Sequence, residues 1–226
     1  MSRIVFVAGT NTGAGKTILT ALLLSHLRSV GIQALAMKPV ETGGRRDARL
    51  LHALQRDEIS LDEVNPFWFR EPLAPSIAAR RSGRRLVKQE VLNHVRALRG
   101  RCDLLLIEGA GGLLSPLANG WSGLDLIKAL KAEVVVATRN ELGVINQAKL
   151  MLDRICVENI MPQALVLMGG GSSKVCLENA AELGKNYNKV PIYEVLRFGF
   201  SGQWMNVIKR NQKKIAKTLA MILRTR

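Results

Sequence analysis

Five apolar residues, Ile4-Val5-Phe6-Val7-Ala8, run straight into Gly9-Thr10-Asn11-Thr12-Gly13-Ala14-Gly15-Lys16-Thr17. A buried-strand pattern that feeds a glycine-rich turn ending in Lys-Thr has the layout of a phosphate-binding loop. The residue types follow from the chemistry. Backbone N–H groups of the loop and of the helix that follows point at phosphate oxygens. Glycines let the chain approach without a Cβ in the way. Lys16 offers a cation to the terminal phosphates, and Thr17 offers a hydroxyl to Mg²⁺. The loop departs from the usual spacing, because five residues separate Gly9 from Gly15 where four are common. The expected ligand is a nucleoside triphosphate.

Strand-like and helix-like runs alternate after this point. The patterns predict strands over 3–8, 33–37, 103–107, 133–138, 163–168 and 190–194, and helices over 15–29, 47–55, 87–98, 122–131, 144–157, 174–187 and 203–223. Leu104-Leu105-Leu106-Ile107 and Val134-Val135-Val136 are apolar on both faces, as in parallel sheets covered by helices. The predicted fold is α/β: a single doubly wound domain over 1–226, with a mostly parallel sheet and helices on both faces, of the P-loop NTPase type. A length of 226 residues suits one domain with a sizeable core. The Pro-rich patch Asn65–Pro75 and the basic stretch 80–85 read as loops on that core.

No uninterrupted apolar stretch is long enough to span a bilayer. Met1-Ser2-Arg3 leads directly into the first strand and leaves no room for a signal peptide, so the expected compartment is the cytoplasm. Cys102, Cys156 and Cys176 are few and widely spaced, which fits reduced thiols. His26, His52 and His94 lie apart from any Cys pair and suggest no zinc site. Thirty-three Lys and Arg against 18 Asp and Glu give a net charge of +15. The basic clusters are Arg80-Arg81, Arg84-Arg85, Lys209-Arg210, Lys213-Lys214, Lys217 and Arg224–Arg226. They lack the aromatic platforms or reading module of a nucleic-acid site. Val207, Ile208, Ile215, Leu219 and Ile222 are instead spaced as the apolar stripe of a helix with a basic outer face. A solvated basic surface is the reading.

Ligands of open parallel sheets bind at the carboxyl ends of the strands. There the phosphate loop leaves the first strand, Lys38 the second and Glu108 the third, while Asp103 enters the third and points away. Glu108 follows four aliphatics and precedes Gly109-Ala110-Gly111-Gly112, a location suited to holding Mg²⁺ directly or through water. Asp47 opens a predicted helix, and its spacing leaves two roles open: a plain N-cap or a second carboxylate on the metal. Lys38 precedes Pro39, which holds the backbone extended, and Thr42 sits in a glycine-rich turn.

The strings Gly9–Thr17, Lys38-Pro39-Val40-Glu41-Thr42-Gly43, Asn65-Pro66-Phe67, Glu71-Pro72 with Pro75, Glu108–Gly112 with Pro116-Leu117, and Leu142-Gly143-Val144-Ile145-Asn146 occur in this order. Together they resemble the dethiobiotin synthetase family over roughly residues 3–157, and the long phosphate loop is similar to that family's own. The resemblance implies an ATP- and Mg²⁺-dependent ligase. It carboxylates 7,8-diaminopelargonate with CO₂ to a carbamate, phosphorylates the carbamate, and closes the cyclic urea with release of ADP and phosphate. Lys38 and Lys16 match the family's catalytic positions. Gly13, Ala14, Gly15, Lys16, Thr17 and Ile18, with Asp47 and Glu108, Gly109, Ala110 and Gly111, match nucleotide-binding positions. Thr17, Asp47 and Glu108 match the metal-binding positions. Thr42 and Leu142, Gly143, Val144, Ile145 and Asn146 match substrate contacts, the last five contributed by the second subunit of a homodimer.

The chain departs from the family further on. Met168-Gly169-Gly170 stands where the family places an Asn-Asp pair that reads adenine, and Glu194-Val195-Leu196-Arg197 stands where it has Gly-x-x-Pro. These departures predict weak discrimination between bases. A partitioning-type P-loop ATPase that binds DNA through its basic surface is the alternative of another class. Such proteins carry a signature Lys early in the loop, at the position of Asn11. An amidotransferase-type relative acting on a larger carboxylate is a third reading. The Lys38–Gly43 string favours the synthetase over both.

Overall fold

The computed structural model describes residues 2–55, 58–170, 174–187, 189–199 and 203–225. Arg226, the end of the last basic cluster, lies outside the described residues. β1 (Arg3–Gly9) leads through the glycine-rich loop to α1 (Lys16–Ser29) and β2 (Ala34–Met37). Then follow β3 (Val40–Thr42), α2 (Arg46–Leu54), α3 (Leu61–Val64), β4 (Phe67–Phe69), α4 (Pro75–Arg81), α5 (Lys88–Arg99) and β5 (Leu104–Glu108). A hairpin, β6 (Pro116–Ala118) with β7 (Trp121–Ser122), precedes α6 (Gly123–Leu130). The chain ends with β8 (Glu133–Arg139), α7 (Val144–Cys156), β9 (Ala164–Gly170), α8 (Lys174–Asn186), β10 (Ile192–Leu196), α9 (Trp204–Lys214) and α10 (Ala216–Leu223).

Six strands form the central sheet in the order β10-β9-β8-β1-β5-β2, every neighbouring pair parallel. They are the six predicted from the sequence. β5 is buried along its whole length and β8 everywhere but its two ends, as their two-sided apolar patterns require. Strand β2 lies two places from β1 on one side and β8 lies beside β1 on the other, so the winding reverses at β1. Right-handed crossovers then put α1 on one face and α5 to α8 on the other. α1 packs there with α9, α10 and α2. The reversal opens a crevice at the carboxyl end of β1, where the phosphate loop lies. Among the described residues, no helix is long and apolar enough to cross a membrane.

The mostly parallel sheet expected from the sequence is present, wholly parallel in its six central strands, with antiparallel pairing in the β6–β7 hairpin. The structure differs from the sequence reading in the segments read as loops and in the last helix. The patch 65–75 holds β4, paired in parallel with β3 through Val40↔Phe67, Glu41↔Trp68 and Thr42↔Phe69. Phe67 and Phe69 point inward and Trp68 outward, a period too short to stand out between prolines. Pro75 then starts α4, a position where its missing N–H costs nothing, and Arg80 and Arg81 of the basic stretch read as a loop form its last turn. The predicted helix over 203–223 breaks at Ile215 (φ −115°, ψ 22°). One turn earlier the Asn211 amide donates to the Val207 carbonyl at 2.8 Å, the kind of local bond that competes with the helical ladder. Both pieces keep the expected amphipathic character. Val207, Ile208, Leu219 and Ile222 are buried, while Lys209, Arg210, Lys213, Lys214 and Lys217 are exposed. Arg80, Arg81, Arg84 and Arg85 are exposed too.

Candidate active site

Past Gly9 the loop turns through Gly13 (φ 84°) and Gly15 (φ 94°), backbone angles that side chains resist. Gly15 caps α1 without a side-chain hydrogen bond, so the first N–H groups of the helix are left for a ligand. Space matters here as well: a Cβ on Gly15 would stand 2.8 Å from both Cβ and Cγ of Met168, which floors the loop from β9. Ala14 is buried beneath it.

Lys16 and Lys38 approach from two sides. The Lys16 ammonium donates to the carbonyls of Asn11 (2.8 Å) and Gly111 (2.7 Å), bridging the loop and the glycine run after β5. Burial lowers its pKa to about 8, against the opposing pull of Glu108. Lys38 leaves β2 at its carboxyl end and is 6% exposed. Its Nζ lies 2.8 Å from Glu108 Oε1 and also pairs with Asp47. Burial disfavours the Lys38 charge, but Glu108 and Asp47 together outweigh it and hold the pKa above the ordinary lysine value. Glu108, 1% exposed, accepts a further bond at Oε1 from the Thr17 hydroxyl at 2.7 Å. Thr17, Lys38, Asp47 and Glu108 are therefore one connected cluster. Asp103 lies at the opposite end of β5, where its carboxylate accepts the Gln33 N–H at 3.3 Å.

Asp47 is not the N-cap of its helix. Arg45 holds that position, and the buried carboxylate of Glu41 does the capping by accepting the N–H groups of Asp47 (3.0 Å) and Ala48 (3.1 Å). The Asp47 carboxylate is thereby free to face Lys38. Burial raises the Glu41 pKa, with Lys38 pulling the other way. Asn65, also buried, donates to the Lys38 carbonyl at 2.7 Å, while the Lys38 N–H donates to the Val64 carbonyl at 2.9 Å. The lysine is thus fixed at its backbone as well as its head. Sequence reasoning did not find the Glu41 role. Its signal is a carboxylate two residues beyond a Lys-Pro step, interpretable only once β3 turns back toward α2.

Thr42 ends β3, where the Gly43 N–H donates to the carbonyls of Phe69 and Glu71. A cavity of about 870 Å³ opens over Gly13, Gly15, Lys16 and Thr17 and takes in Ile18, Lys38, Asp47, Glu108 and Gly111. Leu142–Asn146 lies elsewhere. Leu142 is 87% exposed, Gly143 caps α7, and none of the five lines that cavity. A second cavity of about 350 Å³ brings Gln147 and Met151 of α7 beside Thr10 and Gly112, on the opposite flank of the loop.

A glycine-rich cradle at the winding reversal of a parallel sheet, with two lysines and two carboxylates at its mouth, places the chain among the P-loop nucleotide-binding α/β proteins. A family model described as an AAA domain matches residues 3–194. The ATP-dependent dethiobiotin synthetase BioD of Anaeromyxobacter sp. (strain Fw109-5) is 38% identical over 167 residues, 72% of this chain and 75% of that one. The protein of the same name from Anaeromyxobacter dehalogenans (strain 2CP-C) is 34% identical over 195 residues, 83% and 87% of the two chains. The chain belongs to the dethiobiotin synthetase family. A solved structure described as pNOB8 ParA bound to nonspecific DNA superposes with a TM-score of 0.60 at 12% identity, covering 99% of both chains, a likeness of fold.

Proposed function

We propose that this chain is an ATP-dependent dethiobiotin synthetase of the cytoplasm, converting 7,8-diaminopelargonate, CO₂ and a nucleoside triphosphate to dethiobiotin, nucleoside diphosphate and phosphate. One amine of the substrate adds to CO₂ and loses a proton, giving a carbamate. A carbamate oxygen attacks the γ-phosphorus and the nucleoside diphosphate leaves. The second amine then attacks the carbonyl carbon of the carbamic–phosphoric anhydride, phosphate leaves, and a proton is released as the ring closes.

The observation that carries this reading is the single cluster of Thr17, Lys38, Asp47 and Glu108 beside the loop. Phosphoryl transfer asks for positioned cations and donors around developing negative charge. The N–H groups of Gly13–Thr17 take the phosphates, Lys16 the terminal oxygens, and Lys38 the carbamate and the transferring group. Glu108 Oε2 is buried and, among the described residues, accepts no hydrogen bond. Such an orphaned carboxylate oxygen beside a threonine hydroxyl and a second carboxylate suits a hard cation, and Thr17, Asp47 and Glu108 would hold Mg²⁺. The ion would neutralise phosphate charge during transfer.

The expected assay result is phosphate release that requires the diamine, CO₂ and Mg²⁺ together, with dethiobiotin appearing in equal amount. Phosphate release stimulated by DNA and indifferent to the diamine would replace the synthetase with a partitioning-type ATPase.

Because Leu142–Asn146 stays outside the cavity of its own chain, we assign it to the substrate of a neighbouring subunit. The N–H groups at the start of α7 suit a carboxylate there. Light scattering under assay conditions is expected to give twice the chain mass. An active monomer would remove this assignment.

A further inference from the structure

The large cavity continues well past the phosphate cradle. Beyond Ile18, the residue after the loop's Lys-Thr, it runs between α2 and the first turn of α9. Leu50 and Ala53 form one wall and Trp204 and Met205 the other. Trp204 remains 39% exposed, and the Arg46 guanidinium stands 5.6 Å from its ring centroid, a cation–π pair that orients the indole. Gln203, at the N-cap of α9, contributes an amide that offers both a donor and an acceptor. A ligand with its phosphates at Gly13–Thr17 has this slot for the rest of its body.

On the other flank Met168 lies against Gly15. Just past β8 the Asn140 amide donates to the Cys176 backbone carbonyl (3.2 Å) and to Glu194 Oε1 (3.1 Å), and its oxygen accepts from Asn179 at 2.7 Å, so the Asn140 side chain is engaged within the fold.

We propose that the slot between α2 and α9 binds the nucleobase by stacking on Trp204 within apolar walls, and so accepts purine and pyrimidine triphosphates alike. The proposal rests on the nucleotide-dependent reading above and adds how the base is held. Every base has a π-face, so stacking is tolerant of identity, whereas hydrogen-bond readout is not. Gln203 reinforces the tolerance, since turning its amide presents either polarity to a base edge.

The test is equilibrium binding in the presence of Mg²⁺ and the absence of diamine. ATP, GTP, CTP, UTP and inorganic tripolyphosphate compete for the wild type, Trp204→Ala and Trp204→Phe. The four nucleotides are expected to bind the wild type within about tenfold of one another and more tightly than tripolyphosphate. Trp204→Ala is expected to weaken all four by about five- to a hundred-fold, the effect of losing one stacking platform. Tripolyphosphate affinity should stay unchanged, which also shows that the variant is folded, and Trp204→Phe should keep most of the nucleotide affinity. Unaltered nucleotide binding by Trp204→Ala, an equal loss for tripolyphosphate, or a thousandfold preference for one base would each overturn the proposal. If these binding results hold and no dethiobiotin forms, the synthetase reading fails while the slot stands.

Discussion

Lys38→Ala is expected to lower turnover at saturating substrates by about 10²–10³, or about 2.7–4 kcal/mol, the loss seen when one preorganised donor to developing charge is removed. Lys38 is buried at the end of a central strand, its backbone fixed by Asn65 and Val64 and its ammonium by Glu108 and Asp47. A cation held this way needs no reorganisation as charge builds on the transferring group. The ratio of effects separates the two lysines. Lys16 spans the cradle between Asn11 and Gly111, so Lys16→Ala is expected to weaken triphosphate binding along with turnover. Lys38→Ala should act mainly on kcat. Near-normal kcat for Lys38→Ala at saturation would remove Lys38 from the chemistry.

The second large effect concerns stability. Glu108→Leu leaves the Lys38 ammonium buried with Asp47 as its remaining carboxylate. The cost expected is about 3 kcal/mol, at the low end for breaking a buried ion pair because that partner persists. Replacing both charges, as Lys38→Met with Glu108→Leu, is expected to restore stability to near the wild-type level while activity stays lost. Apolar residues of similar volume often replace a buried pair without penalty. Chemical denaturation of the wild type, both single variants and the double variant gives the coupling directly. Additive effects would show that the pair is not a structural unit. The cluster would then owe its form to catalysis alone.

Much of this site can be read from the sequence, because a parallel sheet fixes which strand ends meet. Once β1, β2 and β5 are recognised, the phosphate loop, Lys38 and Glu108 must converge and Asp103 must not. Spacing leaves the Asp47 role open because it can identify a helix start but not the residue that caps it. Here the cap comes from Glu41 on a three-residue strand, whose pairing with β4 depends on tertiary contacts and not on local pattern. The break at Ile215 was hidden because the apolar spacing continues across it. Trp204 carries no signal toward the phosphate loop. It reaches the cavity because α9 packs on α1 and α2, an arrangement decided by the core as a whole.

The contact between Gly15 and Met168 joins two distant parts of the chain at the floor of the phosphate loop. A side chain at position 15 would need the left-handed backbone at that point to relax and a smaller residue on β9 at the same time. The reverse does not hold: a smaller residue at 168, such as the Asn that the family resemblance implies there, leaves Gly15 as it is. Bulk at position 15 is limited from below as well as by its own backbone, so the floor of the cradle, more than its rim, limits how far the nucleotide site can be remodelled.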